Sequence, residues 1–171
     1  MARQIALLVE EAYNEHEFWY PYYRFIEAGF QVDVVGTGRL DTYPGKSGLP
    51  AKETLAAVNA DAAHYEAVII PGGFAPDFMR REPAMVKLVR DIFQRGKVVA
   101  SICHGGWMLA SADILRGKKA TCFFAIKDDV VNAGAEFLDQ EVVVDGNLVT
   151  SRKPDDLPAF CLAILQLIKP S

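Results

Sequence analysis

The sequence contains no apolar run close to the ~18 residues that a membrane-spanning helix requires. Its start, Met1-Ala2-Arg3-Gln4, runs directly into a strand-like segment where a secretory leader would place a charged and then a long apolar stretch. Cytoplasmic residence and no membrane partner are therefore expected. Cysteine is scarce: Cys103, Cys122 and Cys161 form an odd set with no C-x-x-C spacing, which argues against a disulfide framework and against a zinc knuckle. Any special cysteine must act singly. With 18 Lys and Arg against 22 Asp and Glu, the net charge of −4 provides no overall basic field, and nucleic acid is not the default partner. Histidine is equally scarce, at His16, His64 and His104, and apart from the adjacent Cys103-His104 pair nothing has familiar metal-ligand spacing. Neither a metal nor a cofactor is expected. Glycine and proline, 13 and 9 of 171 residues, stay near background, which excludes collagen-like and low-complexity chains.

What is present is a chain that is 51% hydrophobic and long enough for a sizeable core, read as one domain over residues 1–171. Short apolar runs at Ile5 to Val9, Val32 to Val35, Ala67 to Ile70 and Val98 to Ile102 alternate with stretches of helical period. That alternation predicts a parallel sheet covered by helices, an α/β class. After Pro83, residues Met85, Leu88, Val89, Ile92 and Phe93 mark one helical stripe; Leu157, Phe160, Cys161, Ile164, Leu165 and Ile168 mark another, with Asp155 and Asp156 at its positive end. Cys161 thus belongs to a core stripe, whereas Cys122 lies in a strand-like run. Two β-rich runs around Asp145-Gly146, within Glu141 to Thr150, predict a late hairpin. The Gly- and Pro-rich stretch from Gly36 to Pro50 predicts a long surface loop.

Three segments could carry chemistry. In Val98-Val99-Ala100-Ser101-Ile102-Cys103-His104-Gly105-Gly106, a buried strand runs into Cys103 and a helix starts just beyond it, with small residues Ser101 and Gly105 on either side. A nucleophile elbow needs this arrangement, because a sharp strand-to-helix turn tolerates only small neighbours. A helix N-terminus there favours the thiolate, so a lowered thiol pKa is expected. The alternative is a small buried hydrophobe, a common fate of free cysteine. The second segment, Ile70-Pro71-Gly72-Gly73-Phe74-Ala75-Pro76-Asp77, can bring bare backbone N–H groups to a ligand as an oxyanion hole does, or can simply turn the chain. The third, Glu10 to Pro21, places several carboxyl groups after the first strand, where one could reach a thiol at another strand end. A solvated acidic loop is the alternative. Phe18, Trp19, Tyr20, Tyr22 and Tyr23 crowd the helix that follows, as core or as the wall of a pocket or interface.

Taken together, these segments resemble the PfpI/ThiJ family, the intracellular-protease and deglycase branch of the class I glutamine-amidotransferase-like superfamily. Ala100-Ser101-Ile102-Cys103-His104-Gly105 is similar to its nucleophile motif, and Ile70 to Asp77 to its oxyanion segment. Ile126-Lys127-Asp128-Asp129 with Asn132-Ala133-Gly134, and Val142 to Asn147 with Ser151-Arg152, resemble its later motifs. The likeness spans nearly the whole chain. It implies a flavodoxin-like three-layer α/β/α sandwich that assembles as a dimer or hexamer. By the same resemblance Cys103 is the nucleophile, His104 its neighbour, and Glu17, four residues before Pro21, the carboxyl group at the thiol. Gly72, Gly73 and Gly105 belong to the oxyanion and substrate-binding turns, with backbone N–H groups of Gly73 and His104 as donors, and Asp77 occupies the position from which a carboxylate orients the histidine of an adjacent subunit. The chain departs from the family pattern at Asn14 and His16 beside Glu17, where acidic and apolar residues are usual. His16 is thus either a pocket wall or a surface residue. A second departure is Asp77, where the protease-like members have Glu.

The implied activity is cysteine-dependent chemistry on reactive dicarbonyls or glycated proteins, of glyoxalase III or deglycase type. A peptidase or amidase is the alternative within enzymes, and a redox sensor or chaperone that uses Cys103 oxidation is the alternative outside them. A glutamine-amidotransferase triad is disfavoured, since no histidine follows His104 toward the C-terminus.

Overall fold

The computed structural model describes residues 3–168. Eleven strands run in chain order as β1 (Gln4–Leu8), β2 (Gln31–Gly36), β3 (Thr42–Pro44), β4 (Pro50–Lys52), β5 (Leu55–Ala56), β6 (Tyr65–Ile70), β7 (Val98–Ile102), β8 (Lys119–Ala120), β9 (Glu136–Phe137), β10 (Val143–Asp145) and β11 (Leu148–Ser151). The α-helices are α1 (Glu15–Glu27), α2 (Ala75–Met79), α3 (Pro83–Gln94), α4 (Gly106–Ser111), α5 (Lys127–Asn132) and α6 (Leu157–Ile168). Seven strands form the central sheet in the order β10-β11-β7-β6-β1-β2-β5, all parallel to their neighbours except β10, which is antiparallel to β11.

The apolar runs become the centre of this sheet because both of its faces are covered. Helices α1 and α6 pack together on one face, and α3 and α4 on the other. Every residue of β7 is buried, as is β6 apart from Glu66, so these strands carry continuous apolar sequence without polar alternation. Pairings such as Val68 with Val99 and Leu7 with Ile69 put neighbouring branched side chains in one layer. The late hairpin forms as the Asp-Gly turn requires, with Val144 opposite Val149, and β11 then joins β7 in parallel. The architecture is the three-layer sandwich that the family resemblance implied.

Chain order reverses between β1 and β6: β2 and β5 lie to one side of β1, and β7, β11 and β10 beyond β6 on the other. Crevices at the carboxyl ends of strands open where a doubly wound sheet changes direction in this way. The segments after β1, β6 and β7 therefore converge without any of them being close in sequence.

Two expectations need correction. The stretch from Gly36 to Pro50 is not one open loop; Tyr43 pairs with Ala51 in a small β3–β4 hairpin, and the Tyr43 ring is fully buried. Cys122 lies in irregular chain beyond β8 instead of within a strand. Among the described residues no helix is long and apolar enough to cross a membrane.

Gly105 shows how tightly the layers meet. A Cβ added there would lie 2.6 Å from the Ile70 carbonyl oxygen and 3.2 Å from Ser101 Cβ. Its backbone is ordinary right-handed helix, so the constraint is space alone. Gly105→Ala is expected to cost about 1–3 kcal/mol, the usual penalty for overpacking, in urea denaturation.

Candidate active site

The site is assembled by three strand ends. Strand β7 stops at Ile102 in extended conformation, and Cys103 then takes a φ of +60°, one of three non-glycine residues with positive φ among those described. A side chain in this region is strained, and it persists where the surroundings over-determine it. Here a single 3-10 turn, Cys103–Gly105, leads immediately into α4. The thiol is thereby lifted off the sheet's carboxyl edge in a strand-to-helix elbow.

The turn after β6 lies against it. A methyl group on Gly72 would sit 2.6 Å from Glu17 Oε1, 2.8 Å from Cys103 Cβ and 3.0 Å from the His104 nitrogen, so glycine is the only residue that leaves these groups in contact. Gly73, at φ +77°, is closed in by the Ala12 carbonyl, 2.4 Å from any added Cβ. Backbone hydrogen bonds fasten this turn to the segment after β1: Phe74 N–H donates to Ala12 (2.9 Å), and Asn14 N–H donates to Gly72 (3.2 Å). The β3–β4 hairpin closes the other side, with Lys46 N–H donating to Tyr13 and Ala12 N–H to Pro44.

Glu17 enters from α1. Asn14 caps this helix, its Oδ1 accepting from the N–H groups of His16 (3.1 Å) and Glu17 (3.3 Å), which fixes the turn that carries the carboxyl group. The Glu17 side chain is completely buried. One oxygen, Oε1, accepts from Gly72 N–H at 2.9 Å, whereas Oε2 has no hydrogen-bond partner. Burial pushes this carboxyl up to about 7, against the pull of the Gly72 N–H, the Cys103 thiol and the charge of Lys46.

The Cys103 thiol is also pushed up, to about 12, first by burial and then by a charge on Glu17, while the backbone N–H groups of His104 and Gly73 draw it down. The expected lowering by a helix N-terminus does not follow, because burial beside a carboxyl group outweighs the donors. His104 Nδ1 lies 3.3 Å from Sγ. Burial and the positive Lys46 hold the imidazole below its ordinary value, so it is neutral near pH 7 and supplies no cation to the thiol. Its ring packs among Trp107, Phe123 and Phe74.

The structure thus brings Cys103, His104, Glu17, Gly72 and Gly73 into one cluster. Gly105 serves by its small size under the elbow. His16 is exposed on α1, and among the described residues its side chain makes no hydrogen bond to the cluster. Asp77 lies in the first turn of α2, half exposed, and its carboxylate pairs with Arg81, not with His104 of the same chain. Glu10, in the stretch that could have been a solvated acidic loop, is buried and held by Arg39 (2.8 Å) and the Thr37 hydroxyl. Lys46 and Phe123 escaped the sequence reading. Lys46 is brought over the Phe74 ring (5.1 Å) by the hairpin tip, and no local pattern signals that approach.

Residues 3–167 match the DJ-1/PfpI family. A deglycase of Pyrococcus horikoshii is 41% identical over 97% of this chain and 99% of its own. The protein/nucleic acid deglycase 2 of Escherichia coli is 42% identical over 98% and 99%. Among solved structures, a two-domain protein of Anabaena variabilis with DJ-1/ThiJ/PfpI-like and ferritin-like domains superposes with a TM-score of 0.94 at 46% identity, covering 96% of this chain and 47% of that one. DJ-1beta of Drosophila melanogaster gives 0.90 at 25% identity, over 98% and 91%.

Two outcomes follow from this geometry. Cys103 is 7% exposed, against 2% for Cys122 and 0% for Cys161, so iodoacetamide on the folded protein should modify Cys103 first, as read by peptide mass mapping. Preferential labelling of either other cysteine would contradict the placement. Because the Glu17 carboxyl is raised from 4.5 to about 7, its protonated form is favoured by folding; that stability is fully present below pH 4.5 and is lost as pH rises through 7. Glu17→Gln keeps an acceptor for Gly72 N–H without a charge. In urea denaturation at pH 8 it should exceed the parent by up to about 3 kcal/mol, with little gain at pH 5.

Proposed function

The chain belongs to the DJ-1/PfpI family, and on that premise we propose that it is a cysteine-dependent enzyme of deglycase or glyoxalase III type, acting on reactive dicarbonyls and on their adducts with proteins. The observation that carries this reading is the unpartnered Oε2 of the buried Glu17 at the Cys103 elbow. A charged carboxylate there would leave one oxygen without a donor in a dry site, whereas a neutral carboxylic acid can donate to the sulfur. Proton transfer from thiol to carboxylate, uphill in the resting site because the thiol is the weaker acid, gives a thiolate facing the N–H groups of Gly73 and His104 and a neutral acid facing the thiolate, the pair that attack on a substrate consumes. Relatives named deglycase at about 40% identity support the same reading.

On methylglyoxal, the thiolate attacks the aldehyde carbon, the C–S bond forms, and the carbonyl oxygen takes the proton from Glu17. The resulting hemithioacetal loses its C1 proton to the Glu17 carboxylate, giving an enediolate. Return of that proton to C2, with passage of the C1 hydroxyl proton to the C2 oxygen, leaves a lactoyl thioester on Cys103, and water cleaves it to lactate and the free thiol. The requirement is one buried carboxyl group whose pKa lies near neutrality, so that it can both give and take a proton. A glycated amine would be attacked at its hydroxyl-bearing adduct carbon, where the C–S bond forms as the C–N bond breaks and the amine leaves with the proton of Glu17, which gives the same hemithioacetal.

Peptidase activity asks for more, because a histidine base needs an orienting carboxylate. Within one chain His104 has none among the described residues, and Asp77 is engaged by Arg81. This favours a supplementary reading in which copies of the chain assemble and Asp77 of one approaches His104 of another. Aspartate is about 1.5 Å shorter than glutamate in reach, and misplacement of about 1 Å lowers rates steeply. Dicarbonyl turnover is therefore expected to dominate, and Asp77→Glu should raise peptide cleavage more than lactate formation.

Lactate production from methylglyoxal without glutathione or added metal tests the main reading. Cys103→Ser should abolish it, and Glu17→Gln should reduce kcat about 100-fold with the fold intact. No lactate, together with oxidation of Cys103 to sulfinic acid by peroxide, would instead favour a redox sensor.

A further inference from the structure

Phe123 has two sides. One stacks on the His104 ring at 5.1 Å and 30°; the other opens on a cavity of about 500 Å³ that the proposed reaction leaves unused. Phe123, Phe124 and Phe137 supply aromatic walls, and Lys127, Lys153 and Arg152 bring positive charge to its rim. Phe124 is 77% exposed, an unusual position for a phenylalanine without a partner.

The three cations are not equivalent. Arg152 is matched by carboxylates, donating to Asp156 at 3.0 and 3.1 Å and to Asp139 at 2.9 Å. It braces the wall. Lys127 has no carboxylate within salt-bridge distance among the described residues; its ammonium lies 5.1 Å over the Phe137 ring. Lys153 reaches only Asp155, at 3.9 Å and mostly in solvent. Two ammonium groups thus lack a close counter-charge beside three phenylalanines, in a chain whose net charge is −4.

A purely apolar ligand would leave the ammonium groups unpaired, and a simple anion would leave the rings uncovered. A planar ring with an anionic substituent satisfies both, by stacking and by charge-assisted hydrogen bonds. The volume falls in the range of small-molecule sites. We propose that this cavity binds a small aromatic anion, its ring against Phe124 and Phe137 and its phosphate or carboxylate at Lys127 and Lys153. Such a ligand is coupled to the reactive centre, since Phe124 packs on Phe123 at 4.7 Å and the Phe123 N–H donates to the Cys103 carbonyl at 3.3 Å.

The test uses the full chain carrying Cys103→Ser, so that binding is read without turnover and stands apart from the reaction proposed above. By titration calorimetry, 1-naphthyl phosphate and 1-naphthoate are the probes, and the tighter of the two identifies the charged group. Expected is saturable one-to-one binding, at least tenfold tighter than 1-naphthol or inorganic phosphate. The double substitution Lys127→Ala with Lys153→Ala should weaken it at least tenfold, and Phe124→Ala severalfold; all three side chains are exposed, so melting curves should stay unchanged. In the otherwise native protein the His104 ring resonances should shift on adding the tighter probe, and should not shift in the double variant. Binding of inorganic phosphate as tightly as the aromatic anion, an unchanged affinity in the double variant, or no saturable binding would overturn the proposal.

Discussion

Two buried acids that resist ionising together set the character of this molecule. Glu17 and Cys103 stand side by side in a place that solvates neither charge well, so ionising both is far costlier than ionising one. The rest of the site serves to keep them there. Gly72 is glycine because a methyl group would part them, Asn14 fixes the helical turn that carries the carboxyl group, and the positive φ of Cys103 aims the sulfur back at it. Each element bears a local cost that the surrounding packing offsets.

The same constraint explains why the expected thiolate stabilisation by a helix N-terminus gives way. Helix α4 is six residues long and begins only after a 3-10 turn, so its dipole is small and displaced from the sulfur. What reaches the thiol is a pair of backbone N–H groups, from Gly73 and His104, and the neighbouring acid. The neutral His104 is then better described as packing and hydrogen-bonding to the Cys103 thiol than as its counter-ion. Its aromatic surroundings, Trp107 and Phe123 above all, keep it neutral by keeping it dry.

Much of this is legible in the sequence. The strands, the long helices α3 and α6 and the Asp-Gly hairpin follow from apolar period and turn chemistry, because both sheet faces are covered and each run has one way to be buried. Glu17 is singled out only through the family resemblance; the sheet order that makes it, Gly72 and Cys103 converge, with β1, β6 and β7 adjacent, belongs to the fold. Contacts that depend on where a loop folds back could not be read. The β3–β4 hairpin lay hidden in a Gly- and Pro-rich stretch, because its strands are three residues each and too short to show a period. Lys46 therefore had no visible role. Glu10 could not be told from Glu11 beside it, and only the reach of Arg39 and Thr37 from beyond β2 makes its burial tolerable. Asp77 is identifiable by position, but the pairing that occupies it comes from Arg81 one helical turn later.

The coupling between these two acids can be observed directly. With ¹³C-labelled glutamate, the Glu17 carboxyl resonance, assigned by its loss in Glu17→Gln, should titrate with a midpoint near 7. In the alkylated or Cys103→Ser protein that midpoint should move, because the group with which the proton is exchanged has changed. A Glu17 carboxyl that titrates near 4.5, with or without the thiol, would contradict the account.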